Sequence, residues 1–303
     1  MPFPTPHGDK LQALLSNSKL PADERQRIAT AIERYHAWIA EMGAVEASEA
    51  AVEPLVGALN AYKLFLDIDL VFDSETDFLY RQKGQLKLDN TVVEEFLPWL
   101  VGKVLAQHLD GKELQIGPTN CFSGIRFESD LRDVKPGGGI AIRSKDHDFA
   151  VSRRLHLRAS HRGDFSNSVL AQTAIAYIAT ECKTNLDKTM FQEAAATALD
   201  VKTAVPGAKY YLMCEWLDMT PISTASTAID EVIILRKNRR LGSDVRRSFS
   251  SLAGRRESKE SFLAFLTANP YAVSSFERFL RHIKALVVED YLQETAVLER
   301  GWF

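Results

Sequence analysis

The sequence predicts an α/β (α+β) protein, a mixed β-sheet flanked by helices and preceded by a helical N-terminal region. Three observations predict it. Apolar residues recur at helical spacing up to about residue 110. From Glu113 period-two runs broken by Gly, Pro and Asx turns replace them, and helical spacing returns near the C-terminal end. The change of texture divides the chain into a helical region, 1–112, and a core with C-terminal helices, 113–303.

In chain order, Ile28, Ile32, Tyr35, Ile39 and Met42 lie at spacings of three and four behind Pro21, which suits a first helical turn. A second helix is expected from Val52 to about Leu70. A third is expected near Thr91, where Thr91 and Glu94 are spaced as a capping box before FLPWLVGKVL. Glu94 and Glu95 are also candidates to assist a metal, with capping the preferred role for Glu94. Then come short β-like runs (ELQIG, GIRFES, GIAIR), separated by turns that include Lys135-Pro-Gly-Gly-Gly139.

Residues 149–158 alternate. Phe149, Val151, Leu155 and Leu157 are apolar, and Ser152, Arg154, His156 and Arg158 are polar or basic, as in a half-buried strand with one wet, positive face. A turn over 159–170 leads to a second strand, 173–183 (TAIAYIATECK). A helix from Leu186 to about Leu199 follows, with Asn185 as its expected cap. Two further strands, 208–217 and 228–237, precede the closing helices. Trp38, Trp99, Trp216 and Phe279 fall on apolar faces and read as core.

The bulk properties narrow the function. A hydrophobic fraction of 46% supports an ordinary packed core. A net charge of -3 excludes a histone-like general DNA binder and leaves phosphate contacts to a local basic face. Three scattered cysteines, Cys121, Cys182 and Cys214, fit reduced thiols and no zinc-ligand spacing. No segment has the composition of a membrane span or a secretory leader, so a soluble cytoplasmic protein is expected.

The chemistry concentrates at the end of the 173–183 strand. Side chains alternate along a strand, so Glu181 and Lys183 share a face and Cys182 points away. Four other acid-x-Lys matches occur, beginning at Asp110, Asp133, Asp200 and Glu257, but only this one closes a strand-like run. If 149–158 and 173–183 form an antiparallel hairpin, Asp148 or Asp146 comes beside Glu181 and Lys183. Adjacent carboxylates repel unless a cation lies between them, and Mg²⁺ takes oxygen ligands. Asp148, Glu181 and the backbone carbonyl of Cys182 are therefore the expected Mg²⁺ ligands, with Asp146 in reserve for Asp148. Lys183 would position or deprotonate the attacking water.

The arrangement of Asp148, a hairpin, and Glu181-Cys182-Lys183 ahead of a helix resembles the PD-(D/E)xK nuclease core. The strings KDHDFAVSRRLHLRAS (145–160) and ECKTNLDKTMFQEAA (181–195) are similar to type II restriction endonucleases, nearest to the group that cuts CCTNAGC and related interrupted sites. The resemblance covers roughly 115–240 and departs at one point: His147, not proline, precedes Asp148. It implies a restriction-endonuclease-like core and Mg²⁺-dependent, sequence-specific cleavage of double-stranded DNA to 5′-phosphate and 3′-hydroxyl ends. It also implies that Gln192, on the following helix, braces the metal or its water.

For DNA contacts, Arg236, Arg239, Arg240, Arg246 and Arg247 crowd the segment after the last strand, which reads as a mobile loop, with Arg255 and Arg256 beyond. Arg153, Arg154 and Arg158 form a smaller patch near the site. Cutting two strands calls for two sites, hence a homodimer or a second, unlike subunit. The rival expectations are a repair or junction nuclease on the same core and a non-catalytic DNA-binding protein.

Overall fold

The computed structural model describes residues 3–288 and 294–301. The N-terminal region is helical: α1 (Pro6–Leu15), α2 (Arg25–Ala44), α3 (Val52–Phe65), α4 (Phe78–Leu86), α5 (Leu88–Val104) and the short α6 (Ala106–Leu109). The helix expected to end near Leu70 is α3 continued by a π-helical stretch, Leu66–Phe72. The buried face of α2 carries Ile28, Tyr35 and Met42, as the spacing predicts. The capping box at Thr91 does not form. The helix begins one turn earlier, and the Thr91 hydroxyl donates to the Lys87 carbonyl instead.

Five strands form one sheet in the order β1-β2-β3-β4-β5. They are β1 (Gln115–Phe127), β2 (Ile140–Ala159), β3 (Val169–Leu186), β4 (Lys209–Leu217) and β5 (Glu231–Ile234). The first three pair antiparallel and the last two join in parallel, so the sheet is mixed. Several short runs merge: ELQIG and GIRFES lie in one strand, and GIAIR continues into 149–158. Asp146, His147 and Asp148 therefore lie within β2, not in a turn before it. The glycine segment is a turn, with Gly137, Gly138 and Gly139 at φ 58°, 73° and 65°, a region that disfavours residues with a Cβ.

The crossover from β3 to β4 is α7 (Lys188–Ala204). Its cap is Asp187, whose side chain accepts from Met190 N at 2.8 Å, and not Asn185. Helices α8 (Ser243–Ser248), α9 (Leu252–Ala268), α10 (Val273–Val288) and α11 (Glu294–Arg300) close the chain. The arginine-rich segment expected to be a loop is irregular through Arg236, Arg239 and Arg240 and becomes helical from Ser243, where Arg246 and Arg247 lie.

Each sheet face has its own core. Phe149, Val151, Ile178, Cys182, Tyr211 and Met213 pack against the N-terminal helices and α10. On the other face Ala150, Ala174, Ala176, Ala179, Tyr210 and Leu212 pack with Phe191, Ala194 and Ala198 of α7. Burying apolar surface on both faces fixes the register, because a one-residue slip would turn each set outward. The N-terminal helices and the sheet share the first of these cores.

A buried ion cluster joins the same two parts. Lys63 of α3 and Asp67 meet Glu215 of β4 and Arg236, with Arg236 Nε 2.7 Å and Lys63 Nζ 3.4 Å from Glu215 Oε1. Among the described residues no helix is long and apolar enough to cross a membrane.

Candidate active site

The hairpin of β2 and β3 brings the expected residues together. Phe149 pairs with Thr180, and one step further Asp148 faces Glu181. Asp148 Oδ2 accepts a hydrogen bond from Cys182 N at 2.8 Å, which ties the aspartate to the end of β3. Lys183 Nζ lies 2.6 Å from Glu181 Oε1. Asp146 is turned to β1, where Asn120 Nδ2 donates to its Oδ1 at 2.7 Å.

A β-bulge sets the alignment. Val151 pairs with Ile178 but Ser152 pairs with Ala176, so Tyr177 is the extra residue in β3. Without it, the alternation that buries Ala174 and Ala176 on the α7 face would send Ala179, Glu181 and Lys183 to the opposite face. In β2, Ala150, Ser152 and Arg154 follow one another along one face, and between His147 and Ala150 the strand carries a β-bulge of its own against β1.

One residue of the site escaped sequence reasoning, and another was ranked below a different role. Tyr210 of β4 donates its hydroxyl to Glu181 Oε2 at 2.6 Å, so Glu181 is held from both sides, by Lys183 and by Tyr210. In the sequence Tyr210 is one apolar-run aromatic among several, with no distinguishing signal. Glu94 was read first as a helix-capping residue, with assistance to a metal as the alternative. With α5 starting at Leu88 it is free of that role, and its charge instead acts on Asp148. Glu95, by contrast, is fully engaged: it accepts from His7 N, Gly8 N and the Tyr35 hydroxyl, and so holds the start of α1 in place.

The electrostatics are those of crowded carboxylates. Burial, with Asp148 beside it, pushes Glu94 up to about 7. Asp148 is raised by burial and by Glu181, partly offset by the Cys182 N–H. Burial would raise Glu181 too, but the hydrogen bonds from Lys183 and Tyr210 bring it below the ordinary range. Lys183 is pulled down by burial and more than restored by Glu181 and Asp148, so it stands above the ordinary lysine value and is a cation at neutral pH.

A carboxyl whose folded pKa lies above its unfolded value costs stability once both states are ionised, here above pH 7. Glu94→Gln should therefore stabilise the metal-free protein at pH 8 by on the order of 1–3 kcal/mol and change it little at pH 5. Thermal melts in EDTA at the two pH values measure this. An equal shift at both would mean that Glu94 carries no crowding penalty.

Among the described residues no group of three or more His, Cys, Asp or Glu forms a ready-made metal cage. The donor set nevertheless fits Mg²⁺, which binds through one or two carboxylates and completes its shell with water and substrate phosphate. Asp148 Oδ1 accepts no hydrogen bond from a described residue, and Asp148 repels both Glu94 and Glu181, as carboxylates gathered round one cation would.

The remaining expected residues divide. Gln192 is exposed on α7 and hydrogen-bonds to no described residue, whereas its neighbour Glu193 acts electrostatically on Lys183. Arg153, Arg154, Arg239 and Arg247 are exposed, and none uses its guanidinium on a described residue. Arg240 pairs with Asp218 at 3.2 Å, and Arg246 donates to the Leu241 carbonyl. Arg236, expected on DNA, is buried at 5% exposure, bound to Glu215, Asp67 and the Asn269 carbonyl and stacked by Trp216 and Tyr271. It is a structural residue, because all of its donors point into protein. Arg255 is likewise buried, binding the carbonyls of Phe72, Ser74, Thr76 and Phe249 and the carboxylate of Asp77.

Comparison with known proteins agrees with this picture. A structure of the native BbvCI A2B2 tetramer has the same fold, with a TM-score of 0.52 at 18% identity, covering 87% of this chain and 97% of that one. No curated protein matches in sequence. The Bpu10I restriction endonuclease family matches residues 85–303, a span that includes Glu94, Asp148, Glu181, Lys183 and Tyr210. That span is well over half of the chain, and the protein belongs to the Bpu10I restriction endonuclease family.

Proposed function

We propose that this protein is a Mg²⁺-dependent, sequence-specific type II endonuclease that hydrolyses phosphodiester bonds of double-stranded DNA to 5′-phosphate and 3′-hydroxyl ends. The observation that carries this reading is the juxtaposition of Asp148, Glu181 and Lys183 at the end of the β2–β3 hairpin. Asp148, Glu181 and the Cys182 carbonyl would hold the ion, with Glu94 approaching from α5. The ion would supply Lewis-acid stabilisation of charge on the phosphate and the leaving oxygen.

The chain's own groups then have separable tasks. Lys183, a cation, hydrogen-bonds and orients the attacking water and the phosphate oxygens. Tyr210 fixes the Glu181 carboxylate so that it does not follow Lys183 when substrate arrives. Arg154 lies on β2, the strand that carries Asp148, and with Arg153, Arg239 and Arg247 it is exposed and available to backbone phosphates or base edges. Gln192 has only the resemblance behind it.

The described residues of one chain carry one such site, so cutting both strands calls for a second copy or an unlike subunit. The A2B2 composition of the BbvCI assembly favours testing both. Purified protein is incubated with a long duplex in Mg²⁺ or in EDTA, its native mass is measured, and any ends are sequenced. Discrete fragments in Mg²⁺ alone, with 5′-phosphate ends, are the expected result. A smear of lengths would replace sequence specificity with a structure-directed or non-specific nuclease, and cleavage undiminished in EDTA would remove the metal from the reading.

A further inference from the structure

A second feature beside the site has no part in the chemistry above. A cavity of about 110 Å³ opens between α4, α5, the end of β4 and helices α8 and α9. It exceeds several times the roughly 30 Å³ share of one water molecule. Its walls are aromatic: Phe72, Tyr80, Trp216, Phe249, Phe262 and Phe265. Lys83, Arg240 and Arg246 also line it and are partly exposed, whereas Lys63 and Glu215 are deeply buried.

Glu215 and Lys63 satisfy each other and Arg236, as described. Asp89 is different: it lines the cavity and makes no hydrogen bond or ion pair with a described residue. Lys83 lies 4.8 Å over the Tyr80 ring and forms no close ion pair with a described residue, acting on Asp89 through its charge alone. Burial would raise the Asp89 carboxyl, but Lys83 and Lys63 outweigh it and keep the group ionised. A smaller recess shares Asp89, Thr184 and Glu215 with the cavity and reaches Lys183. Along α5, Asp89 and Glu94 differ by a rise of roughly 7.5 Å, about two base steps.

A cationic opening, aromatic walls and a free anionic acceptor inside match a nucleotide entered base first. Phosphate stays at the cations, the ring stacks, and base N–H donors meet the carboxylate. Guanine presents two adjacent donors, N1–H and N2–H, that suit the two oxygens of one carboxylate. We propose that this cavity receives a guanine nucleotide turned out of the bound duplex close to the scissile phosphate, with Asp89 reading its Watson–Crick edge. The proposal rests on the endonuclease reading for its source of nucleotide.

The test needs no chemistry at the active site. Once the cleaved sequence is known, binding is measured in EDTA to duplexes in which the partner of each guanine in turn is replaced by an abasic site. Turning out an unpaired base costs less, so one position should bind roughly tenfold tighter or more, while ordinary contacted positions weaken. Asp89→Asn, verified by its melting curve to be folded, should erase the gain at that position. If every abasic duplex binds no tighter than the intact one while cleavage is normal, the proposal is overturned and the endonuclease reading stands. If the protein neither binds nor cuts duplex DNA, both fall, and the cleavage assay alone reveals it.

Discussion

Lys183→Ala should lower cleavage by roughly 10²–10⁴-fold, the range for a positioned proton-handling or charge-stabilising group, while duplex binding in EDTA changes by less than about twofold. The separation follows from geometry. Lys183 is one cation, half-buried and already paired with Glu181 at 2.6 Å, so it adds little to the field that attracts DNA. Its loss removes the group that orients the water and leaves Glu181 held by Tyr210 alone. Asp148→Asn should behave in the same way, since Asn keeps the acceptor for Cys182 N but not the charge. Single-turnover cleavage and a binding titration measure the two quantities separately. Wild-type cleavage by Lys183→Ala would remove this constellation as the catalytic site.

Arg236→Ala should cost about 3–5 kcal/mol of folding stability, because removing one partner of a buried pair leaves the other charge uncompensated. Its side chain is 3% exposed, and Glu215 and Asp67 would then face only Lys63. The Asn269 carbonyl and the stacks on Trp216 and Tyr271 would lose their partner as well. Urea denaturation measures the loss. Arg239→Ala and Arg247→Ala should melt like wild type, yet weaken DNA binding and flatten its salt dependence by about one ion each. An Arg236→Ala protein as stable as wild type, but deficient in DNA binding, would return that residue to the interface.

The contrast between these arginines shows where local reading stops. Arg236 and Arg239 are three positions apart in one basic run, and nothing in the run separates them. Burial does, since Glu215 and Asp67 come from 21 and 169 residues away along the chain. The same holds for Tyr210, which meets Glu181 only because β4 lies parallel beside β3. The capping role preferred for Glu94 failed for a more local reason. A capping box is a spacing of two residue types, and the true helix start, with Lys87 in a left-handed conformation ahead of Leu88, carries no capping side chain to announce it.

By itself the sequence determined what short-range periodicity encodes. It marked the change from helix to strand near residue 113 and the acid and lysine that close an apolar strand, whereas the wet and dry faces expected over 149–158 did not hold, since Ser152 is buried and Leu155 exposed. Those patterns are local because side-chain direction repeats every two or 3.6 residues. Hairpin pairing then brought Asp148 to the end of β3, with the bulge at Tyr177 deciding which face Glu181 takes. Only the tertiary structure decided which charges face solvent and which carboxylates crowd Asp148, and only it formed the aromatic cavity beside the site. Each of those depends on segments far apart in the chain meeting where water is excluded, and there a charge's partners, not its sequence neighbours, set its state.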